Sequence, residues 1–324
     1  MQYALDGLAI GHYTDLTGVT GCTVLLLGQD DGAVTGVSVR GAAPGTRETD
    51  LLQPGCLVEK AHAILLSGGS AFGLDAASGV MQFLEERGIG HPTTAGPVPI
   101  VPAAVLYDLS IGDPKARPDA TSGYSACVAA GKQPAIEGSF GAGAGATVGK
   151  INGIGQATKG GIGIASLQIL DGITVMAVVA VNCFGDVVDP DNGTIIAGVR
   201  QVGARSNLGT ESILRAVRGK NVVSDTTNTT IGVVATNARL SKAQARWLAD
   251  IAHDGIARTT RPSHSIYDGD TLFAVSMPSA DSPVIDTGQL AAVGSAATEV
   301  VATAIIRAVR LSTGMGGVPS INEL

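Results

Sequence analysis

Aromatic residues make up only 3% of this 324-residue chain, with a single Trp. A core must therefore close from small aliphatic side chains and 45 Gly, with backbones approaching closely. Layered sheets and helices suit that supply. Cysteine is just as sparse: Cys22, Cys56, Cys127 and Cys183 stand apart without a C-x-x-C pair. That spacing argues against a redox or zinc motif and reads as buried thiols in a reducing compartment, so a cytoplasmic location is expected. Basic residues number 21 against 28 acidic, a net charge of −7, which leaves no electrostatic footprint for nucleic acid or an anionic membrane. Long apolar runs are missing too. The longest, Ile173 to Val181, is far too short to cross a bilayer, and the helical segment near the C-terminus carries Glu299 at its middle. The start of the chain has Asp6 and no basic segment followed by an apolar core, so no signal peptide is visible. A single-domain soluble enzyme is the expectation, with no nucleic-acid partner and no membrane.

What is there alternates between strand and helix signals. A hairpin is predicted from Cys22–Leu27 through a turn at Gln29-Asp30-Asp31-Gly32 to Ala33–Arg40. A strand at Ala61–Leu66 meets Ser67-Gly68-Gly69-Ser70 and then a helix to Arg87, with a further strand at Ala103–Leu109 and a short helix at Ser122–Ala130. From Phe140 to Val188 the pattern is Gly-punctuated strand: Gly141–Lys150, Gly161–Leu170 and Ile173–Asn182, the last two joined by an Asp171-Gly172 turn. Thr229–Thr236 is strand-like, Ser241 and Gln244 have capping-box spacing before a helix to about Ile256, and a strand at Leu272–Met277 precedes a long helix over Gln289–Arg310. Long central hairpins with helices outside predict helices covering a two-sheet core.

Several motifs fail on inspection. Gly141 to Ala146 satisfies a dinucleotide-binding expression, but no helix follows to face a pyrophosphate. Gly149-Lys150 lacks the first Gly and the metal-binding hydroxyl of a phosphate-binding loop. The five His show no metal-ligand spacing and read as surface or satisfied side chains. No cofactor is expected. Asp268 and Asp270, two apart, share one face if extended, or serve a turn. Lys150 follows small apolar residues, so it either snorkels or stands in a cleft, and the residues alone favour snorkelling. Asn182 ends an apolar strand, where its amide needs a partner.

The bond of greatest interest is Asn228–Thr229. A Thr freed by cleavage gains an α-amine beside its own hydroxyl, which is a nucleophile with a built-in base. Alone, the polar run from Asp225 to Thr230 reads more cheaply as a loop entering a strand.

Six segments taken in order resemble the L-aminopeptidase/D-esterase family of self-cleaving N-terminal-nucleophile hydrolases, which includes β-peptidyl aminopeptidases and endo-type nylon-oligomer hydrolases. They are Leu66 to Leu74, Ala104 to Leu109, Gly143 to Lys150, Val181-Asn182, Asn228 to Ile231, and Asp268 to Phe273. The resemblance implies an α+β fold, a four-layer α-β-β-α sandwich, cut into residues 1–228 and 229–324 that stay together and assemble further as homo-oligomers. It also implies a nucleophile at Thr229, with Thr230 as rival, an oxyanion-side amide at Asn182, cleft residues at Lys150 and Tyr107, and an organising pair at Asp268 and Asp270. The substrate class implied is a small peptide or other linear amide. Where family aminopeptidases carry a small residue before a Ser nucleophile, and a Glu two positions before the Tyr, this chain has Asn228, Thr229 and Val105. The missing carboxylate at Val105 removes the obvious partner for a substrate ammonium. Two other readings stand beside this one: acyl transfer of the ornithine acetyltransferase kind, and an uncut, non-catalytic binding protein.

Overall fold

The computed structural model describes residues 5–28, 31–132, 134–169, 172–201, 203, 206–216, 228–279, 282 and 284–324. Its helices are α1 (Ala76–Glu85), α2 (Ala120–Ala129), α3 (Thr210–Ala216), α4 (Lys242–Thr259) and α5 (Thr287–Arg310). A five-stranded sheet runs Leu8–Asp15, Thr20–Leu27, Ala63–Ser67, Ala103–Val105 and Gly45–Arg47 across its width. A six-stranded sheet runs Gly161–Gln168, Thr174–Asn182, Thr229–Thr236, Thr271–Ser276, Ala33–Val39 and Lys60–Ala61.

Strand periodicity sorts the apolar side chains into three layers. Leu25, Leu66, Ile164, Val178, Ile231, Val233 and Phe273 meet between the sheets. On one outer face Val24, Leu65 and Ala103 pack against Val80 and Phe83 of α1 and Ala126 of α2. On the other, Val175, Val179, Val234 and Leu272 pack against Leu248 and Ala252 of α4 and Val301 and Ile305 of α5. The result is the expected α-β-β-α sandwich. Small residues set the layer spacing: a Cβ added to Gly163 would lie 2.0 Å from the Ala304 carbonyl of α5, a contact that only glycine permits.

Helix boundaries follow the capping signals. Ser241 and Gln244 form the predicted capping box, and α4 then runs three residues beyond the expected Ile256, to Thr259. Asp286 and Gln289 cap α5 in the same way. By length and composition α5 could cross a membrane, yet twelve of its residues are buried and pack on α4 and the second sheet.

Two local expectations are corrected. The predicted hairpin partners part company: Thr20–Leu27 pairs with Leu8–Asp15 and Ala63–Ser67, whereas Ala33–Val39 crosses to the other sheet beside Thr271–Ser276. Leu8–Asp15, unread in the sequence, takes the hairpin position instead. Gln29 and Asp30 of the predicted turn, like Asp171 of the later one, lie outside the described residues. Nor is Gly141–Lys150 a strand. Gly141–Gly143 is a 3-10 turn and only Thr147–Val148 pairs, with Thr158–Lys159. The physical reason is the buried Lys159 ammonium, which binds the carbonyls of Gly143 (2.9 Å), Ala146 (2.9 Å) and Gly160 (3.2 Å) and so takes acceptors that a ladder would use.

Candidate active site

Thr229 opens the strand Thr229–Thr236, which lies between Thr174–Asn182 and Thr271–Ser276 in the second sheet. Its register sets Thr229 opposite Asn182 at the end of the neighbouring strand. Ile231, Val233 and Ala235 all face the layer between the sheets, so alternation turns Thr229 toward that layer and Thr230 toward the helices. The Thr230 hydroxyl is buried with no hydrogen-bond partner, while the Thr229 hydroxyl donates to the Asn228 carbonyl through a short contact.

That carbonyl is held from the other side. Asn228 forms a one-residue parallel bridge with Asp268, its N–H donating to the Tyr267 carbonyl at 3.1 Å and its own carbonyl accepting from the Gly269 N–H at 2.9 Å. A Cβ on Gly269 would lie 2.9 Å from Thr229 Oγ1 and 2.5 Å from the Ala43 carbonyl, so this close approach requires glycine. The Asn228 side chain is buried, and neither its Oδ1 nor its Nδ2 has a partner.

Asn182 is the hub of the opposite wall. Its Oδ1 accepts from Thr147 N at 3.0 Å and from Lys150 Nζ at 2.8 Å, its carbonyl accepts from the same ammonium at 2.9 Å, and its Nδ2 donates to the Tyr107 carbonyl at 2.9 Å. Tyr107 follows the strand Ala103–Val105 of the first sheet, so this amide ties the two sheets together beside Thr229. Lys150 retains some exposure as a residue, but its ammonium is drawn inward onto Asn182. Burial lowers its pKa to about 7, opposed by the negative charge available to Cys183, Asp268 and Asp108. Lys150 therefore does not snorkel. It lines a narrow cleft with Tyr107, Ile111, Thr147 and Ile154.

The two aspartates are both buried and serve different backbones. Asp268 accepts from Phe184 N at 3.1 Å through one oxygen and from Ser265 N at 3.1 Å and Ser265 Oγ through the other. Burial, then the neighbouring Asp270, raises its pKa to about 6. Asp270 accepts from Thr230 N at 2.7 Å, and its second oxygen takes His264 N at 3.3 Å and His264 Nδ1 at 2.7 Å. The His264 ring packs edge-on against His253, centroids 4.9 Å apart. Burial lowers the His253 pKa to about 4, so His253 is neutral near pH 7 and the pair avoids like-charge repulsion.

The six expected site residues are thus gathered at one end of the inter-sheet layer, Tyr107 through its carbonyl. Sequence reasoning passed over three participants. His264 reads in the sequence as a satisfied or surface side chain, although it stands six residues before Asp270. Ser265 sits three before Asp268, a spacing suited to a local hydrogen bond. Gly269 lies between the two carboxylates and its sequence context suggests only turn chemistry. Among the described residues no group of three or more His, Cys, Asp or Glu is arranged to hold a metal ion.

The geometry joins a buried hydroxyl, its own preceding carbonyl, a lysine titrating near neutrality and two carboxylates. The whole assembly also has relatives. The model of peptidase family S58 matches residues 4–321. An "uncharacterized aminopeptidase" of Mycobacterium tuberculosis is 40% identical over 99% of this chain and 96% of its own length. The 6-aminohexanoate-oligomer endohydrolase of Paenarthrobacter ureafaciens is 33% identical over 95% of this chain and 85% of that protein. In structure, the L-aminopeptidase D-Ala-esterase/amidase of Ochrobactrum anthropi, described as a variant of the N-terminal-nucleophile hydrolase fold, superposes with a TM-score of 0.74 at 20% identity, covering 97% of this chain and 87% of that one. A Burkholderia sp. β-aminopeptidase gives 0.69 at 21% identity, over 98% and 88%. The chain belongs to peptidase family S58, the L-aminopeptidase/D-esterase family of amide-bond hydrolases.

Proposed function

We propose that the chain cuts itself between Asn228 and Thr229 and then hydrolyses small peptides or other linear amides, with the freed Thr229 as nucleophile. One observation carries the reading: the Thr229 hydroxyl lies against the Asn228 carbonyl, whose oxygen already accepts the Gly269 N–H at 2.9 Å. In maturation the hydroxyl oxygen adds to that carbonyl carbon, the C–N bond breaks, and the nitrogen leaves as the α-amine of Thr229. Water then hydrolyses the ester, giving the Asn228 carboxylate and restoring the hydroxyl. In turnover the α-amine takes the hydroxyl proton as the same oxygen attacks substrate, an acyl-enzyme forms, and water releases it.

Maturation precedes the α-amine, so its base must come from elsewhere. Lys150, with a pKa of about 7, is substantially unprotonated at neutral pH and is assigned that role, held in place by Asn182. Asn182, expected as an oxyanion donor, has its N–H on the Tyr107 carbonyl in the continuous chain; it is assigned first to positioning Lys150, and to the oxyanion only if that bond is exchanged. Asp268 and Asp270 fix the Phe184 and Thr230 backbones around the nucleophile.

Residues 1–228 and 229–324 would remain one body after the cut, because the strand Thr229–Thr236 is hydrogen-bonded on both sides. Homo-oligomers of this cut pair in a reducing cytoplasm complete the proposal, resting on the family resemblance and the four unpaired Cys. Family membership favours hydrolysis over acyl transfer or a purely binding role.

Intact-mass spectrometry with N-terminal sequencing of the purified protein tests the reading. Two fragments, the second beginning at Thr229, are expected. A single species that persists through long incubation at neutral pH overturns it.

A further inference from the structure

We propose that the Tyr267 carbonyl and the Gly269 N–H form a backbone clamp for the acyl-side residue of the substrate, holding its nitrogen and its carbonyl as they hold Asn228 in the uncut chain. The proposal rests on Thr229 being the nucleophile. The covalent chemistry carries it. In maturation the Asn228 carbonyl carbon becomes bonded to Thr229 Oγ1, and in turnover the substrate's carbonyl carbon becomes bonded to the same oxygen. The maturation ester is thus the protein's first acyl-enzyme, with Asn228 as its acyl residue.

The contacts around that residue define what an acyl group meets. Asn228 N donates to Tyr267 O at 3.1 Å, and Asn228 O accepts from Gly269 N at 2.9 Å, the paired bonds of a parallel bridge centred on Asp268. When Asn228 departs, a buried acceptor and a buried donor lose their partners. Such groups are costly to leave unpaired. A substrate residue with nitrogen on its α-carbon restores both bonds, adding one strand-like residue to the segment that leads into Thr271–Ser276. The Gly269 N–H then faces the oxygen on which negative charge develops during attack, as an oxyanion donor must.

The clamp sets a selectivity different from that of a carboxylate. A backbone carbonyl accepts from an amide N–H as readily as from a terminal ammonium, so it accommodates both a free and an N-acylated acyl residue. This compensates for Val105, which offers no carboxylate to an ammonium. Acyl groups with no nitrogen on the α-carbon leave the Tyr267 carbonyl unpaired. The side-chain slot makes no polar demand either, since both polar atoms of the Asn228 side chain lack partners. A small apolar side chain such as that of alanine fits the site.

The test is kcat/KM of the self-cut protein on four p-nitroanilides: L-alanyl, N-acetyl-L-alanyl, propionyl and 6-aminohexanoyl. The two alanyl compounds are expected within about threefold of each other, and the propionyl and 6-aminohexanoyl compounds roughly tenfold or more below them, the effect of one unpaired buried carbonyl. Propionyl turnover matching L-alanyl overturns the clamp. So does L-alanyl turnover with none of the N-acetylated compound, which would mean recognition of an ammonium by a charged group. A cut chain that hydrolyses none of the four overturns the clamp while leaving Thr229 cleavage standing. An uncut, inactive chain removes the nucleophile assignment and the clamp with it.

Discussion

The carboxylate of Asp270 accepts the N–H of Thr230 at 2.7 Å, one residue beyond the Asn228–Thr229 bond. Its other oxygen accepts from His264 Nδ1 at 2.7 Å. The carboxylate thus ties the start of the strand Thr229–Thr236 to a histidine that itself packs on His253. Charge-assisted bonds of this kind outweigh neutral ones about twofold. Asp270→Asn keeps an acceptor for Thr230 N but weakens both bonds, so self-cleavage is expected to slow about tenfold; Asp270→Ala leaves the buried N–H unpaired and is expected to slow it about a hundredfold. Timed mass spectrometry of fresh protein measures both. Equal cleavage rates in Asp270→Ala and the parent would show that the Thr230 anchor has no part in processing.

The two threonines at the junction separate by face. Thr229 turns toward the space between the sheets and Thr230 toward the helices, where its hydroxyl is buried without a partner. Thr229→Ala is expected to give an uncut, inactive chain. Thr230→Val replaces the hydroxyl with a methyl of similar volume and is expected to cut normally, with stability unchanged or raised by up to about 1 kcal/mol. Fragment mass and thermal unfolding of the two variants read this directly; cleavage surviving in Thr229→Ala would transfer the nucleophile elsewhere.

Much of the site was legible because it sits at strand ends with a strong pattern. Thr229–Thr236 coincides with its predicted span, and the Asn182 and Asp268/Asp270 segments keep their order and neighbourhood in space. What stayed hidden depends on partners distant in sequence. Nothing local in Thr20–Leu27 and Ala33–Val39 says that they join different sheets, since each is satisfied by strands far along the chain. Lys159, with no carboxylate beside it in sequence, gives no sign that it will organise the Gly143–Ala146 turn by binding three carbonyls. His264 and Gly269 act through one backbone approach and one carboxylate, and these follow from topology rather than from any motif.

As the proposed base, Lys150 would make self-cleavage speed up as pH rises. Burial lowers the Lys150 pKa to about 7, so the fraction able to accept a proton grows as pH rises through 7. Asp268, raised to about 6, is largely ionised by pH 7. The cleavage rate is expected to climb from pH 6 to pH 8 and then level. Lys150→Arg stays charged throughout and is expected to cut at least about a hundredfold more slowly, with no rise over that interval. The same lowered pKa has a consequence for folding. Between about 7 and the ordinary lysine value of 10.5 the unfolded chain holds a proton that the folded chain has lost, so this group's contribution to stability grows with pH over that window. Rates of cleavage in Lys150→Arg that follow the parent's pH profile would rule Lys150 out as the base.

The residue on the acyl side of the proposed cut is itself poorly satisfied. Both polar atoms of the Asn228 side chain are buried and unpartnered, and an unpaired buried amide costs roughly 1–3 kcal/mol. The proposed cleavage would let Asn228 leave its slot and regain water, relieving part of this strain. In a Thr229→Ala background, which holds the chain intact, Asn228→Leu replaces the amide by an apolar group of similar size and is expected to raise unfolding stability by about 1 kcal/mol. Denaturant unfolding of the single and double variants gives the difference. In the parent background the same substitution removes the relief, and self-cleavage is expected to run more slowly to the same end point. A loss of stability in the double variant would mean that the Asn228 side chain has a polar partner, and the relief would then play no part in driving maturation.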